Sequence, residues 1–244
     1  MKSICFIGAR GGSKGIAKKN IKLLNGKPLI SYTIESALNS NIFSNVVVST
    51  EDKEIAKIAK KYGAEVPFMR PKKLATDTAG MYEVILHGIN KLKSLEYDFD
   101  IIVNRDCTVP FIQNHDIQGT INILKRKKAD AVYGVYKQHH NPYFNMMEIN
   151  SNGFLEYSKK IGEKIKSRQS APIVYQLNGL FTINVNKLLK YGKWHMPKIL
   201  PYEISPETGF MIDTKFEFKI AEMMSHKKYL KKITMQSIHH QQLN

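Results

Sequence analysis

The chain has 244 residues, 43% hydrophobic and 24% charged, which suits a globular protein of one large or two small domains. Lys and Arg number 37 against 21 Asp and Glu, a formal charge of +16 that fits either an anionic partner or a surface solvated by lysine. The cations are scattered, not laid in a stripe interleaved with aromatics, so nucleic acid is not the expected partner. No run approaches the ~18 apolar residues of a membrane span, so a soluble chain with no membrane partner is expected. Cys5 and Cys107 have no metal spacing and no signal peptide is evident, which points to buried thiols in a reducing cytoplasm.

The apolar run from Ile4 to Ile7 predicts a buried strand. A loop rich in glycine and cations follows, Gly8-Ala9-Arg10-Gly11-Gly12-Ser13-Lys14-Gly15, running on to Lys18-Lys19-Asn20. Strand, basic glycine loop and helix is a common way to hold phosphate, because bare backbone N–H groups and cations approach the oxygens closely. A Walker A loop is excluded because Gly15, not Ser or Thr, follows Lys14. The dinucleotide fingerprint is excluded because Arg10 stands where its second glycine would fall. On its physics alone the loop could also be basic and flexible, without a ligand.

Pro28 suits a first helical position, and Leu29, Ile30, Thr33, Ile34, Ala37 and Leu38 form a stripe at helical spacing. Val46 to Val48 predicts a second strand ending at Ser49-Thr50. Glu51-Asp52 opens a helix closed by Gly63. Glu65 to Met69 reads as a short third strand interrupted by Pro67. The loop from Arg70 to Asp77 leads into a helix over 78–95. Asp100 to Asn104 is a fourth strand with Arg105 to Phe111 as its loop, followed by a helix over 116–127 and a fifth strand from Ala131 to Tyr136. This alternation predicts a doubly wound, mostly parallel α/β sheet of Rossmann-like type, with ligands beyond the strand C-termini.

The pattern then changes. Met146 to Ile149 and Phe154 to Tyr157 form an expected hairpin about Asn150-Ser151-Asn152-Gly153, either a lid, a dimerisation arm or surface decoration. A basic segment, Lys159 to Arg168, precedes Ile173-Val174-Tyr175 and a strand over 180–183, broken at Asn178-Gly179. A helix over 215–224 and an edge strand over 229–234 close the chain.

Arg10, Lys14, Lys18 and Lys19 carry charge enough for a triphosphate, and the amide of Asn20 could read a base edge. Asp77 either caps a helix or lines the third loop beside Arg70. Asp106 stands where Mg²⁺ or a sugar hydroxyl could bind, and Asp213 is either a second carboxylate on that ion or an N-cap. Arg168 and Gln169 could pair with a substrate carboxylate. Neither His139-His140 nor His239-His240 has a partner at metal-ligand spacing.

Several of these segments, taken in order, resemble one family. Ala9 to Gly15, Lys19-Asn20-Ile21, Gly26 to Ile30, Val48 to Asp52, Arg70-Pro71, Leu74 to Thr78, Arg168-Gln169, Asn178-Gly179 and Ile212-Asp213-Thr214 are similar to the signatures of CMP-sialic acid synthetases (acylneuraminate cytidylyltransferases). Asn141 to Asn145 and Arg168 to Pro172 are nearer the branch for bacterial nonulosonic acids such as legionaminic acid. The resemblance implies a single nucleotidyltransferase domain over 1–244, with residues 140–170 as a dimerisation arm in a homodimer.

It further implies a reaction in which the anomeric hydroxyl of a sugar acid attacks the α-phosphate of CTP with magnesium (Mg²⁺). The products would be a CMP-sugar, for surface glycan biosynthesis, and pyrophosphate. On that basis Arg10, Lys14, Lys19 and Asp213 are catalytic. Ala9, Arg10, Gly11, Gly12, Ser13, Lys14, Asn20, Arg70 and Asp77 bind the nucleotide. Asp106, Arg168, Gln169 and Asn178 face the sugar, and Asp213 and Asp106 hold the metal. Three departures stand out: Met211 replaces the first of two aspartates, Gln176 a common arginine and Thr182 a common tyrosine. They imply a sugar pocket unlike that of a sialic acid enzyme. They also keep open another acceptor for CTP, or a non-catalytic nucleotide-binding protein.

Overall fold

The computed structural model describes residues 1–160, 165 and 167–225. In chain order its elements are β1 (Ser3–Gly8), β2 (Leu23–Leu24), β3 (Lys27–Pro28), α1 (Leu29–Asn39), β4 (Val46–Ser49), α2 (Lys53–Lys61), α3 (Met81–Ser94), β5 (Ile101–Arg105), α4 (Asn114–Lys127), β6 (Ala131–Lys137), β7 (Met147–Ile149), β8 (Leu155–Tyr157), β9 (Tyr175–Asn184), α5 (Val185–Tyr191), β10 (Ile199–Glu203) and α6 (Lys215–Met224). Six strands form the central sheet in the order β10-β6-β9-β5-β1-β4. Every pairing is parallel except those of β9, which runs antiparallel to both β5 and β6. The expected doubly wound, mostly parallel sheet is thus present.

Alternate residues of each strand feed opposite layers. Cys5, Ile7, Val46 and Val48 pack against α1 and α2, and Ile101, Val103 and Val132 against α4. Ile4, Phe6, Val47 and Ile102 face α3, and Phe181 and Ile183 share that layer with α5. Burial on both faces explains why β1, β4 and β5 read as continuous apolar runs. β1 and β5 are parallel neighbours, and the loops that leave their C-terminal ends lie side by side and border a crevice there.

Several elements differ from the sequence reading. The expected strand at Glu65 to Met69 reduces to a single bridge between Val47 and Glu65, since Pro67 has no N–H for a ladder. Pro28 is the cap of α1 and not its first residue, and it pairs with Leu23 in a small hairpin turned at Asn25-Gly26. The segment around Asn178-Gly179 is no break. β9 runs through it with a bulge opposite Gly134, between the pairs Tyr133–Phe181 and Val135–Leu177. Helix α5 and strand β10 were not foreseen. Pro201 disguises β10, and the sheet tolerates it there because β10 is an edge strand.

The foreseen hairpin is present as β7 and β8, a separate two-stranded sheet. The expected strand over 229–234 lies outside the described residues, as does part of the basic segment after Lys159. Among the described residues no helix is long and apolar enough to cross a membrane, and both cysteines are free and buried.

Candidate active site

A cleft of about 550 Å³ opens at the C-terminal ends of β1 and β5. It brings together Arg10, Ser13, Lys14, Lys19 and Asn20 from the loop after β1, Arg70 and Asp77 from the loop before α3, Asp106 after β5, and Asp213 before α6. The convergence of three loops expected from the sequence is therefore met, with a fourth contributed by residues 211–214.

The cations are already matched with carboxylates. Asp77 Oδ1 lies 2.8 Å from Arg10 Nη2, and Asp77 Oδ2 lies 2.9 Å from Lys14 Nζ. The hydrogen bond from Lys14, reinforced by Arg10, holds the Asp77 carboxyl below its ordinary range. Lys19 Nζ reaches across the cleft, donating to Asp213 Oδ1 at 2.8 Å and to the Ile212 carbonyl at 2.9 Å. Asn20 is buried, and its Nδ2 donates to the Arg10 carbonyl at 2.9 Å, so it braces the loop.

Arg70 is 6% exposed, and burial pushes its guanidinium down against the opposing pull of Glu51. Glu51 was read only as the start of a helix. Asp52 performs that task, its Oδ1 accepting from the N–H groups of Glu54 and Ile55. Glu51 instead turns toward the basic loop, with Oε1 2.7 Å from the Gly11 N–H and Oε2 3.3 Å from Arg70 Nη2. The signal was its place immediately after a buried strand end, a crevice position in such sheets.

Asp106 is fixed from both sides. Its N–H donates to the Gly179 carbonyl at 3.0 Å, and its Oδ1 accepts from the Thr108 N–H at 3.0 Å. Gly179 has φ +74°, and a Cβ there would lie 2.7 Å from Asp106 Cβ, so the bulge of β9 needs glycine for both conformation and closeness. Asn178 beside it is fully buried, with Oδ1 3.4 Å from the Leu180 N–H.

The remaining expected residues lie outside the cleft lining. Ala9 is a buried core residue whose N–H donates to Ser49, and Gly11 and Gly12 belong to the loop's backbone. Arg168 and Gln169 sit exposed on a 3-10 turn near the hairpin. Arg105, read from sequence as the start of the crevice loop, is the last residue of β5 and is fully buried, donating to Ser36 Oγ at 3.4 Å. Thr182 is buried with its hydroxyl 2.6 Å from that of Thr120 on α4, outside the cleft lining.

Among the described residues no group of three or more His, Cys, Asp or Glu side chains could hold a metal ion. Two of the three cleft carboxylates, Asp106 and Asp213, nonetheless fit a hard cation that takes one or two carboxylates and completes its shell with phosphate and water. Cytidylyltransferases of this kind generally use a divalent metal.

Comparison with known proteins gives the same picture. A CMP-N,N'-diacetyllegionaminic acid synthase of Legionella pneumophila is 39% identical over 226 residues, 92% of this chain and 96% of the relative. A pseudaminic acid cytidylyltransferase of Campylobacter jejuni is 49% identical over 117 residues, 48% of this chain and 50% of the relative. A solved CMP:2-keto-3-deoxy-manno-octonic acid synthetase complexed with CTP shares the fold, with a TM-score of 0.70 over 92% of this chain and 98% of its own, at 18% identity. The cytidylyltransferase family model matches residues 4–233, and the chain belongs to that family of nucleotidyltransferase enzymes.

Proposed function

We propose that this protein joins CTP to the anomeric hydroxyl of a nonulosonic acid, releasing pyrophosphate and a CMP-sugar for surface glycan synthesis. The observation that carries this reading is the gathering of Arg10, Lys14, Lys19 and Arg70 around one cleft floored by a glycine loop. Four cations suit a triphosphate, and full-length likeness to a legionaminic acid enzyme supports the acid as acceptor. Arg10 and Lys14 take the phosphate oxygens that Asp77 now mimics, and they stabilise the charge that builds on pyrophosphate as it leaves. Asn20 and Arg70 shape the nucleoside side. The acceptor oxygen bonds to the α-phosphorus as the bond to pyrophosphate breaks, and the hydroxyl proton passes to solvent. Mg²⁺ is the expected metal; when bound by Asp213 and Asp106 it supplies charge neutralisation at the phosphates.

The sugar acid is assigned to the Asp106 end of the cleft, where Asn178 lies beneath. Arg168 and Gln169 are assigned to its carboxylate. The assembly is a homodimer through the β7–β8 arm. Ile149, Phe154 and Leu155 are 74%, 70% and 65% exposed on a hairpin that lacks a core of its own, and an apolar surface of that kind calls for a partner. CTP supply and two free, buried cysteines support a cytoplasmic enzyme.

Pyrophosphate release from CTP, screened over legionaminic, pseudaminic and sialic acids with Mg²⁺, tests the assignment. Turnover with one of the first two is expected, and no turnover with any of the three overturns it. Pseudaminic acid is the second acceptor reading, favoured by the 49% identical match.

A further inference from the structure

We infer that Glu51 is a positioning residue for the nucleotide, one carboxylate that sets the basic loop and Arg70 in register with each other. This rests on the CTP-binding reading above. The two halves of the nucleotide side come from separate stretches of chain, the loop after β1 and the loop before α3. Arg10 is fastened to its own loop by Asn20, and the loop's Gly11 N–H is given to Glu51 Oε1 at 2.7 Å. Arg70 gives Nη2 to the other oxygen of the same carboxylate at 3.3 Å.

Glu51 is itself shielded, its side chain 15% exposed against 5% for Arg70. A pair held out of water in this way keeps its direction, whereas an exposed pair would wander. The fit is close on the other side as well. A Cβ at Gly11 would lie 2.5 Å from Asp52 Oδ2, so the loop rests directly on the start of α2. The Gly11 N–H is taken up by Glu51, and this bond moors the loop. Arg70 lines the cleft, and its contact with Glu51 runs through Nη2, which leaves other donors of the guanidinium for a ligand.

Removing the Glu51 carboxylate frees the loop from Arg70 and leaves a buried cation without its counter-charge. The nucleotide then meets two unaligned halves, and misplacement on the scale of an ångström is costly to binding and orientation. A merely structural glutamate would lower stability and leave the affinity of the folded protein alone.

The test is CTP binding by calorimetry in the presence of Mg²⁺, with thermal melts to establish the folded fraction. Glu51→Ala is expected to weaken CTP binding at least about tenfold, with Glu51→Gln, which keeps an acceptor for Gly11, in between. Glu51→Ala combined with Arg70→Ala is expected to weaken binding by clearly less than the two single effects together, since the two residues share one contact and only the Gly11 mooring is lost in addition. The KM for the sugar acid stays within about twofold. CTP affinity of Glu51→Ala within twofold of wild type, or independent effects of the two substitutions, overturns the inference. Should Glu51→Ala fail to fold, Glu51→Gln decides: about threefold weaker CTP binding upholds it and unchanged binding overturns it. Wild-type protein that binds CTP but turns over no sugar acid overturns the acceptor assignment alone, since CTP binding by the variants is read without turnover.

Discussion

Lys19 and Asp213 stand 194 positions apart in the chain, yet the lysine Nζ lies 2.8 Å from the aspartate Oδ1. The lysine is the buried partner, its side chain 13% exposed against 57% for the aspartate. Lys19 thus fixes a carboxylate that otherwise faces open cleft. Because the Asp213 side chain packs against little, Asp213→Ala is expected to leave the melting temperature nearly unchanged. Turnover with Mg²⁺ falls at least about a hundredfold, because the charge that builds on the departing phosphates loses its support. Melting curves and pyrophosphate release on the same preparation check both halves of that expectation.

Asp77 bridges Arg10 and Lys14 in the position an anionic ligand would take. All three side chains are substantially exposed, so the pairs are weak and easily exchanged. Asp77→Asn is expected to tighten CTP binding about threefold at low ionic strength, with the gain shrinking as salt screens the cations. Titrations of CTP at two salt concentrations read this directly. Weaker binding by the variant would make Asp77 a ligand of the nucleotide and not a stand-in for it.

The difference between those two aspartates shows where sequence reading stops. Asp77 was legible as a cleft residue, because loops after buried strands converge and the apolar runs of β1, β4 and β5 located the strands, whereas Asp213 was read only as a metal carboxylate or an N-cap and its loop joins the cleft as a fourth. Their partners were not legible, since nothing in Lys19 or Arg10 alone selects one carboxylate over another. Direction and pairing of β9 were hidden for a similar reason. A strand from Tyr175 to Asn184 reads the same whether it runs parallel or antiparallel, and only the tertiary fold inserts it between β5 and β6. The contacts of Glu51 were hidden likewise, because Glu51-Asp52 does open a helix, with Asp52 as its cap, and nothing in the sequence directs Glu51 toward Gly11 and Arg70.

Gly15 carries a contact that converts packing into function. A Cβ built there would lie 2.3 Å from the Asp213 carbonyl oxygen, which is backbone and not a flexible side-chain tip. Gly15→Ala must therefore push residues 212–214 away from the loop. A destabilisation of about 1–3 kcal/mol is expected from the overlap. Turnover should fall at least about tenfold in the fraction that remains folded, since Lys19 and Asp213 separate. Circular-dichroism melts and kcat at 20 °C distinguish the two effects.

The exposed apolar hairpin makes a prediction about assembly. Phe154 and Leu155 lie at the β8 end of the turn, with no core beneath them in the described residues. Phe154→Lys combined with Leu155→Lys is expected to convert a dimer to a monomer, observed by sedimentation velocity, with the monomer's melting temperature within a few degrees of wild type. A wild-type protein that sediments as a monomer over the micromolar range would remove the arm's assigned role.

His115 gives the fold a pH dependence whose sign can be worked out. Its Nε2 lies 3.3 Å from Asp116 Oδ1, and Asp116 is buried while also accepting from the Gln113 N–H at the start of α4. The hydrogen bond to Asp116 raises the imidazole above its usual value, outweighing partial burial. A raised folded-state value means that the protonated form stabilises the fold. That stabilisation is complete below the unfolded-state value near 6.5 and is lost as pH rises through the higher folded-state value. The pair is partly open to solvent, so the effect is small, about 1–2 °C in melting temperature for a chain of this size. Wild-type protein should therefore lose that margin over His115→Asn between pH 6 and pH 8, and the two melting profiles should converge at the alkaline end. Profiles that stay parallel across the range would show that folding does not shift the His115 imidazole.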